Sequence, residues 1–253
     1  MNKIRRCEVI DHGGHKEYIY FTELDENGLL ITLDNYYEVL IPKDCIGFTD
    51  RAYEEFAESG MFRYKIDVEK GNSKYKAVNN CLIEIETGKV VLGCKTSIIP
   101  NDGSIKIIGA HAFNGVRTLV FEDENDEENE DIFTNITIPD SVEVIEHHAF
   151  ANCGLTDIEL PYGLKEIGSM AFMLTRIGME GKSVHIPNTV ERMGIGVFTG
   201  CKELRRPMIF SQRYKSEGDC IVDTKTNTII AVHNGIAGEV LPLIADKIEI
   251  MTF

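Results

Sequence analysis

The sequence contains seven cysteines, the side chains best suited to nucleophilic chemistry. Cys153 and Cys201 each lie three residues after a phenylalanine, and comparable positions elsewhere hold Val116 and Phe56. A position that accepts Cys, Val or Phe is typical of a hydrophobic core, where cysteine behaves as a small apolar side chain. A nucleophile would also need a histidine and an orienting partner at a workable spacing. The sequence therefore predicts two buried cysteines and no catalytic residue.

The histidines suggest metal chemistry at two places, and both signals are weak. Cys7, His12 and His15 lie in a glycine-rich stretch without a fourth ligand at a familiar spacing. His147 and His148 are adjacent, so we expect their side chains to diverge. The sequence accordingly predicts no metal site and no cofactor, and we expect stability to be insensitive to chelators and to reductants.

Acidic residues outnumber basic ones by 41 to 26, which gives a formal net charge of −15. Such a molecule repels phosphate backbones and anionic lipid, and the sequence has no basic patch. We therefore expect that the chain does not bind nucleic acid and does not insert into a membrane. Eight of the acidic residues occupy the ten positions from Glu122 to Asp131. This run lacks the spacing of a calcium-binding loop and is typical of a solvated insertion.

An internal repeat provides the framework for these residues. Three segments align directly: ITIPDSVEVIEHHAFANC from Ile136, IELPYGLKEIGSMAFMLT from Ile158 and VHIPNTVERMGIGVFTGC from Val184. Each has apolar residues before its proline and three and six residues after it, and a phenylalanine eleven residues after it. A unit this short cannot bury its own apolar face, so stacked units must share one continuous core.

Two further copies are recognisable. One begins at Ser97 and places Phe113 thirteen residues after its proline, and the other begins at Val240 and ends at Phe253. The segments CLIEIETGKVVLG from Cys81 and CIVDTKTNTIIAVH from Cys220 read as inserted β-hairpins, because apolar runs flank short turn sequences.

The N-terminal part allows two interpretations. VLIPKDCIGFTDRAYEEF from Val39 has the repeat spacing and is consistent with a degenerate first unit at 39–60. A separate small α+β domain, with a helix from about Arg51 to Glu58, explains the same residues. We divide the chain into a β-rich N-terminal cap with one short helix at 1–74 and a repeat array at 75–253.

The residues before each proline alternate like a short strand with one face inward, and proline ends that strand because it lacks an N–H. The side chains two and four residues before the prolines should then form an outward polar ladder. We predict that this ladder binds a protein partner. Its members are Asn135, Thr137, Asp157, Glu159, Ser183 and His185.

The recurring Ile-x-Ile-Pro, Val-x-x-Ile-Gly, Ala-Phe and Gly-Cys elements resemble the BspA-type leucine-rich repeat family of bacterial surface antigens, over about residues 75–253. Met193 and Val197 depart from that pattern. The spacings of 22 residues between Phe150 and Phe172 and 26 between Phe172 and Phe198 suit such repeats. The predicted fold is mainly β with short helical turns, a right-handed leucine-rich-repeat β-solenoid with inserted hairpins. The resemblance implies a curved solenoid used in adhesion and protein binding.

The sequence thus predicts a protein-binding module that is not an enzyme. Two alternatives stay open: an enzyme or enzyme-regulatory subunit with a site in the N-terminal region, and a structural spacer. No secretory signal is visible, so we expect a cytoplasmic protein, or a cell-surface one if an export signal has been removed. The apolar final segment, about residues 240 to 253, predicts end-to-end self-association.

Overall fold

The chain is described here by a computed structural model. The described residues are 3–5, 9–12, 15–18, 22–33, 38–58, 60, 63–117, 133–205, 207–217, 220–232 and 247–248. The acidic run at 122–131 lies outside them, as does nearly all of the predicted self-association segment.

The described part of the chain is built from short strands, one α-helix and many turns, as the glycine-rich sequence predicts. The helix α1 spans Asp50–Glu58, and a 3₁₀ turn spans Met179–Gly181. The strands are β1 (Lys3–Arg5), β2 (Val9–His12), β3 (His15–Tyr18), β4 (Thr22–Leu24), β5 (Leu29–Leu33), β6 (Glu38–Ile41), β7 (Gly47–Phe48), β8 (Lys65–Val68), β9 (Tyr75–Val78), β10 (Cys81–Glu84), β11 (Lys89–Leu92), β12 (Ile107–Ile108), β13 (Val144–Ile145), β14 (Glu166–Ile167), β15 (His185–Ile186), β16 (Arg192–Met193), β17 (Met208–Ile209), β18 (Tyr214–Glu217), β19 (Cys220–Asp223), β20 (Thr228–Val232) and β21 (Lys247–Ile248).

A seven-stranded sheet runs through the repeats in the order β16-β14-β13-β12-β11-β10-β9. The pairing is parallel from β11 to β16, and it aligns Ile108 with Ile145, Ile145 with Ile167, and Ile167 with Met193. These are the apolar residues of the second half of each unit. Because their side chains point inward one above another, the sheet supplies one wall of the shared core.

The segments before the prolines were predicted to form strands, and the structure confirms their alternating burial but not, for most of them, their pairing as strands. Ile136 and Ile138 are buried on either side of exposed Thr137, so the predicted alternation is confirmed. Among the described units after residue 97, however, only β15 pairs as a strand here, with β17 of the next unit. In the N-terminal region, β6 lies before Pro42 and pairs in parallel with β8. Proline cuts these segments short, and the continuous ladder forms after the proline instead.

The four unit phenylalanines form a column in the core, as the repeat alignment predicts. Phe113, Phe150, Phe172 and Phe198 are fully buried. Their ring centroids lie 5.2, 5.4 and 5.5 Å apart in succession, and neighbouring ring planes differ by 10° or less. The backbone follows the same stacking, since the N–H of Phe150 donates to the carbonyl of Ala171 at 2.8 Å.

The hairpins predicted from Cys81 and Cys220 are confirmed. A third hairpin precedes them in the N-terminal region, and all three share one arrangement. The hairpins are β4–β5, β10–β11 and β19–β20, and each contains a register shift. The second strand of each hairpin then pairs in parallel with a two-residue strand of the following unit: β5 with β7, β11 with β12, and β20 with β21.

The N-terminal region has a second hydrophobic core. Helix α1 contributes Ala52 and Phe56 to it, and β6 contributes Val39 and Ile41. The helix begins one residue before its predicted start. The repeat-like pairing of β7 and the presence of α1 combine features of both N-terminal interpretations, and the division of the chain at residue 74 stays a prediction.

Candidate functional site

The proline-side surface consists of the six ladder residues, Asn135, Thr137, Asp157, Glu159, Ser183 and His185. All are exposed except Asp157, which is half-buried. They face outward because the residues between them, such as Ile158 and Val184, are held in the core. The structure therefore places the six side chains on one surface, across three successive units.

Two adjoining depressions follow this surface. The smaller, about 210 Å³, is lined by Asn135, Thr137 and Ile138 together with Asp157, Ile158 and Glu159. The larger, about 520 Å³, shares those last three residues and continues past Ser183 and His185. Because the depressions share three lining residues, they lie side by side on this surface, and we call the two together the proline-side groove.

Two exposed aromatic side chains border the larger depression and were missed by sequence reasoning. Tyr162 is 82% exposed and Phe210 is 60% exposed. Tyr162 directly follows a unit proline, where the neighbouring units carry Asp140 and Asn188. Phe210 lies in a unit without the defining proline, which concealed its alignment. Exposed large aromatics are characteristic of binding surfaces, since they bury much apolar area on contact.

The groove is acidic and only partly neutralised. Asp157 pairs with Lys182 at 3.2 Å. Glu159, in contrast, has no ion-pair or hydrogen-bond partner for its carboxylate within the described part of the chain. The His185 ring lies 5.9 Å from the Phe210 ring, at an angle of 53°. The groove thus offers a free carboxylate beside aromatic rings.

The outer surface of the parallel sheet carries charges that already have partners. Lys165 pairs with Glu143 at 2.6 Å, and Arg192 pairs with Glu166. The hydrogen bond and the charge of Lys165 lower the pKa of the Glu143 carboxyl. This surface is therefore less available to a charged partner than the groove.

Three histidines meet where the chain turns after β12 and β13. Nitrogen atoms of His111, His147 and His148 all lie within 4.8 Å of one another. The His111 and His148 rings stack at 4.9 Å with 5° between their planes, and His147 meets the His111 ring edge-on at 5.3 Å. Burial and then the other two histidines lower the pKa of His111 to about 4, so its ring is neutral near pH 7. Neutral imidazole is the form that binds metal ions.

The prediction that His147 and His148 diverge was wrong. Adjacent side chains diverge on extended backbone, but His148 has a left-handed φ of 53°, which redirects its side chain. The sequence contained a signal for His111 as well: it lies two residues before Phe113, as His148 lies two residues before Phe150. Units that stack in register bring these two positions together.

The structure gives no support for a reactive site at the unit cysteines or at the N-terminal Cys7, His12 and His15. Cys153 and Cys201 are buried, as predicted, and burial raises the pKa of both thiols, to about 12 for Cys153. His12 of β2 lies opposite His15 of β3 in the register of the two strands, whereas Cys7 lies outside the described residues. A buried thiol of raised pKa is a poor nucleophile.

Comparison with known proteins identifies the repeats. Residues 124–236 match the model of the BspA type leucine rich repeat region, in six copies. No curated protein matches the chain.

Three solved structures are similar to the chain. The pneumococcal vaccine antigen PcpA has 20% sequence identity and a TM-score of 0.53, over 68% of this chain and 38% of that chain. A leucine rich cell surface protein from Faecalibacterium prausnitzii A2-165 has 21% identity and a TM-score of 0.45, over 70% and 48% of the two chains. A leucine-rich repeat protein from Eubacterium ventriosum has 17% identity and a TM-score of 0.41, over 68% and 48%. The similarity to PcpA indicates a shared fold, and this chain spans less than half of that antigen.

Proposed function

Because residues 124–236 match the BspA type leucine rich repeat region, we propose that the chain is a protein-binding module. Its proline-side groove binds an extended, positively charged segment of a partner protein. The observation that carries the proposal is the carboxylate of Glu159, which has no partner among the described residues and lines the same depression as two exposed aromatic rings. Repeat arrays commonly bind partners along such extended surfaces.

The shape of the groove favours an extended segment over a folded knob. The two adjoining depressions are lined by residues from Asn135 to Phe210, which belong to neighbouring units. An extended peptide can place alternate side chains into adjoining depressions, and its main-chain groups remain free to contact the polar rim. Tyr162 and Phe210 are suited to anchor apolar side chains or the stems of long basic ones.

The charge of the molecule favours a basic segment. The net charge of −15 attracts cations over a distance, and Glu159 supplies a local contact. Long-range attraction of this kind mainly raises the association rate and weakens as salt screens it. Binding should therefore be salt-dependent.

We also propose that the chain is not an enzyme. Burial raises the pKa of Cys45 and Cys81 in addition to the two unit cysteines. These thiols are core side chains, which supports a binding role over nucleophilic catalysis.

Exposure at the cell surface is the location that fits this role. PcpA, whose fold is similar, is a vaccine antigen. Within the described residues, no helix combines the length and apolar character needed to cross a membrane.

The test is selection from a displayed library of short random peptides, with the chain immobilised. We expect enrichment of peptides rich in Lys and Arg, and binding that weakens as NaCl rises. Glu159→Lys and Tyr162→Ala should each weaken binding of the enriched peptides. The matched controls, Glu203→Lys and Tyr64→Ala, make the same changes at exposed positions outside the groove and should leave it intact.

Two outcomes would overturn the proposal. Equal weakening by Glu159→Lys and Glu203→Lys would show that the peptides respond only to overall charge. A library that yields no enriched sequence would argue for a structural spacer instead.

A further inference from the structure

The histidine trio, His111, His147 and His148, results from the stacking of repeat units in register. It shares no residue with the proline-side groove. His111 and His148 occupy the same position in successive units, and both have left-handed φ values, 58° and 53°. The N–H of His111 donates to the carbonyl of His147 at 3.2 Å, which fixes the spacing between the two turns. The backbone conformation and this hydrogen bond therefore bring the three imidazole rings close together.

Packing alone accounts for part of this arrangement. The Nδ1 atom of His111 lies 2.9 Å from the side-chain amide of Asn114, and histidine tolerates left-handed backbone better than most residues. Packing does not account for His148, whose Nδ1 atom is buried and has no hydrogen-bond partner in the described part of the chain. A buried nitrogen without a partner is costly, and a ligand that accepts its lone pair offsets that cost.

The surroundings leave access for a small ion. His147 is exposed, while His111 and His148 are half-buried, so the trio is closed on the protein side and open to solvent. Glu146 accepts hydrogen bonds from the backbone of Ala110 at 2.8 Å and from Lys89 at 2.7 Å. These contacts hold the backbone beside the trio from both units.

We propose that His111, His147 and His148 bind a divalent first-row transition-metal ion of the class that prefers imidazole, such as Zn²⁺. Three nitrogen ligands without a carboxylate or thiolate suit Zn²⁺, Cu²⁺ or Ni²⁺ and disfavour Mg²⁺ and Ca²⁺. A fourth position stays open toward solvent, as in three-histidine zinc sites.

Coordination requires a small local change. Ligand nitrogens around tetrahedral zinc lie roughly 3.4 Å apart, given Zn–N distances of about 2.0–2.1 Å. The trio must therefore contract from its span of up to 4.8 Å, and the His111 and His148 rings must rotate out of their stack. Rotation about side-chain bonds suffices, because terminal ring torsions are soft.

The experiment is calorimetric titration of the untagged, full-length chain with Zn²⁺, and separately with Mg²⁺ and Ca²⁺. We expect one Zn²⁺ per chain and no heat from the other two ions. Co²⁺ provides a second readout, since its visible spectrum reports four-coordinate nitrogen ligation. His111→Asn and His148→Asn should each abolish the binding, and asparagine suits the left-handed backbone at both positions.

The controls address histidines elsewhere. His185→Asn in the groove, and the double variant His12→Gln, His15→Gln, should leave Zn²⁺ binding unchanged. Circular dichroism and a urea melt establish that each variant is folded. Zn²⁺ binding that persists in His111→Asn, or that disappears in the His12 and His15 variant, would mean adventitious binding only and would overturn the proposal.

Discussion

Four phenylalanines illustrate how single residues determine the core of this chain. Each of Phe113, Phe150, Phe172 and Phe198 is inaccessible to solvent and stacks on the phenylalanine ring of a neighbouring unit. Removing a ring from the middle of the column leaves a cavity that two fixed neighbours cannot fill. The cost therefore includes lost burial and an unfilled volume.

We expect Phe172→Ala to destabilise the protein by about 3–5 kcal/mol, because the column cannot collapse around the cavity. Phe172→Leu, which keeps most of the volume, should cost clearly less. Deleting residues 124–130 should cost little, since loop length contributes only weakly to stability. Urea denaturation measures all three, and equal costs for the substitution to Ala and the deletion would refute the alignment of units.

The buried cysteines give a second prediction at this scale. Burial raises the pKa of Cys81 and Cys153 to about 12, so the reactive thiolate is scarce until the pH approaches that value. In a Cys7→Ser variant, a disulfide reagent at pH 8 should label the six described cysteines only as the protein unfolds. Rapid labelling in the native state would contradict their assignment to the core. A reductant should leave the melting temperature unchanged.

At the scale of elements, the four described units with a core phenylalanine repeat the same left-handed turn. The residue two positions after each unit phenylalanine has a left-handed φ: Gly115, Asn152, Leu174 and Gly200. Glycine adopts this conformation freely and asparagine tolerates it, but leucine pays a steric cost from its Cβ. Leu174 is also half exposed, so little burial offsets the strain.

We therefore expect Leu174→Asn to stabilise the protein by up to about 1 kcal/mol, the scale of left-handed strain for one residue. Leu174→Ala keeps the Cβ and loses the packing, so it should give no gain. Comparison of their urea midpoints separates backbone strain from side-chain contacts. An asparagine variant no more stable than the alanine one would show that strain at this turn is negligible.

The elements differ in how well they could be predicted. Phenylalanines such as Phe172 and apolar residues such as Ile167 occur at the same distance from the proline of each of three units. This periodicity was enough to predict the stacked units and their core. Both halves of a unit alternate in polarity, however, so the sequence could not tell which half carries the hydrogen-bonded ladder. The histidine trio depended on a left-handed backbone at His148, which residue types alone do not specify. Phe210 was missed because its unit lacks the proline that defines the register.

At the scale of the whole molecule, one sheet serves two cores. In β10, Cys81 and Ile83 face the repeat core, whereas Leu82 faces the N-terminal core. Arg63, fully buried, donates to the carbonyls of Phe56 at the end of α1 and of Gly93 in the array. The N-terminal region therefore shares both its apolar surface and its polar contacts with the repeats.

We expect the two cores to unfold together. Phe56→Ala and Phe172→Ala lie in different cores, yet each should lower the midpoint of one common transition, seen alike by near- and far-ultraviolet circular dichroism. The change at Phe56 should not produce a separate early step. Two resolved transitions would instead support an independent N-terminal domain and the boundary predicted at residue 74.

The hydrogen bonds between neighbouring turns also determine how the array responds to tension. The bond from the Phe150 N–H to the Ala171 carbonyl joins one turn to the next, as does that from Phe172 to Val197. Force applied to the two ends of the chain breaks these hydrogen bonds one turn at a time, starting from the end of the array. Each released turn of 22 residues, such as that from Phe150 to Phe172, lengthens the tether by roughly 70–80 Å. A protein anchored at one end and held by its partner at the other would yield in steps, absorbing a pull that would otherwise act on the bound segment.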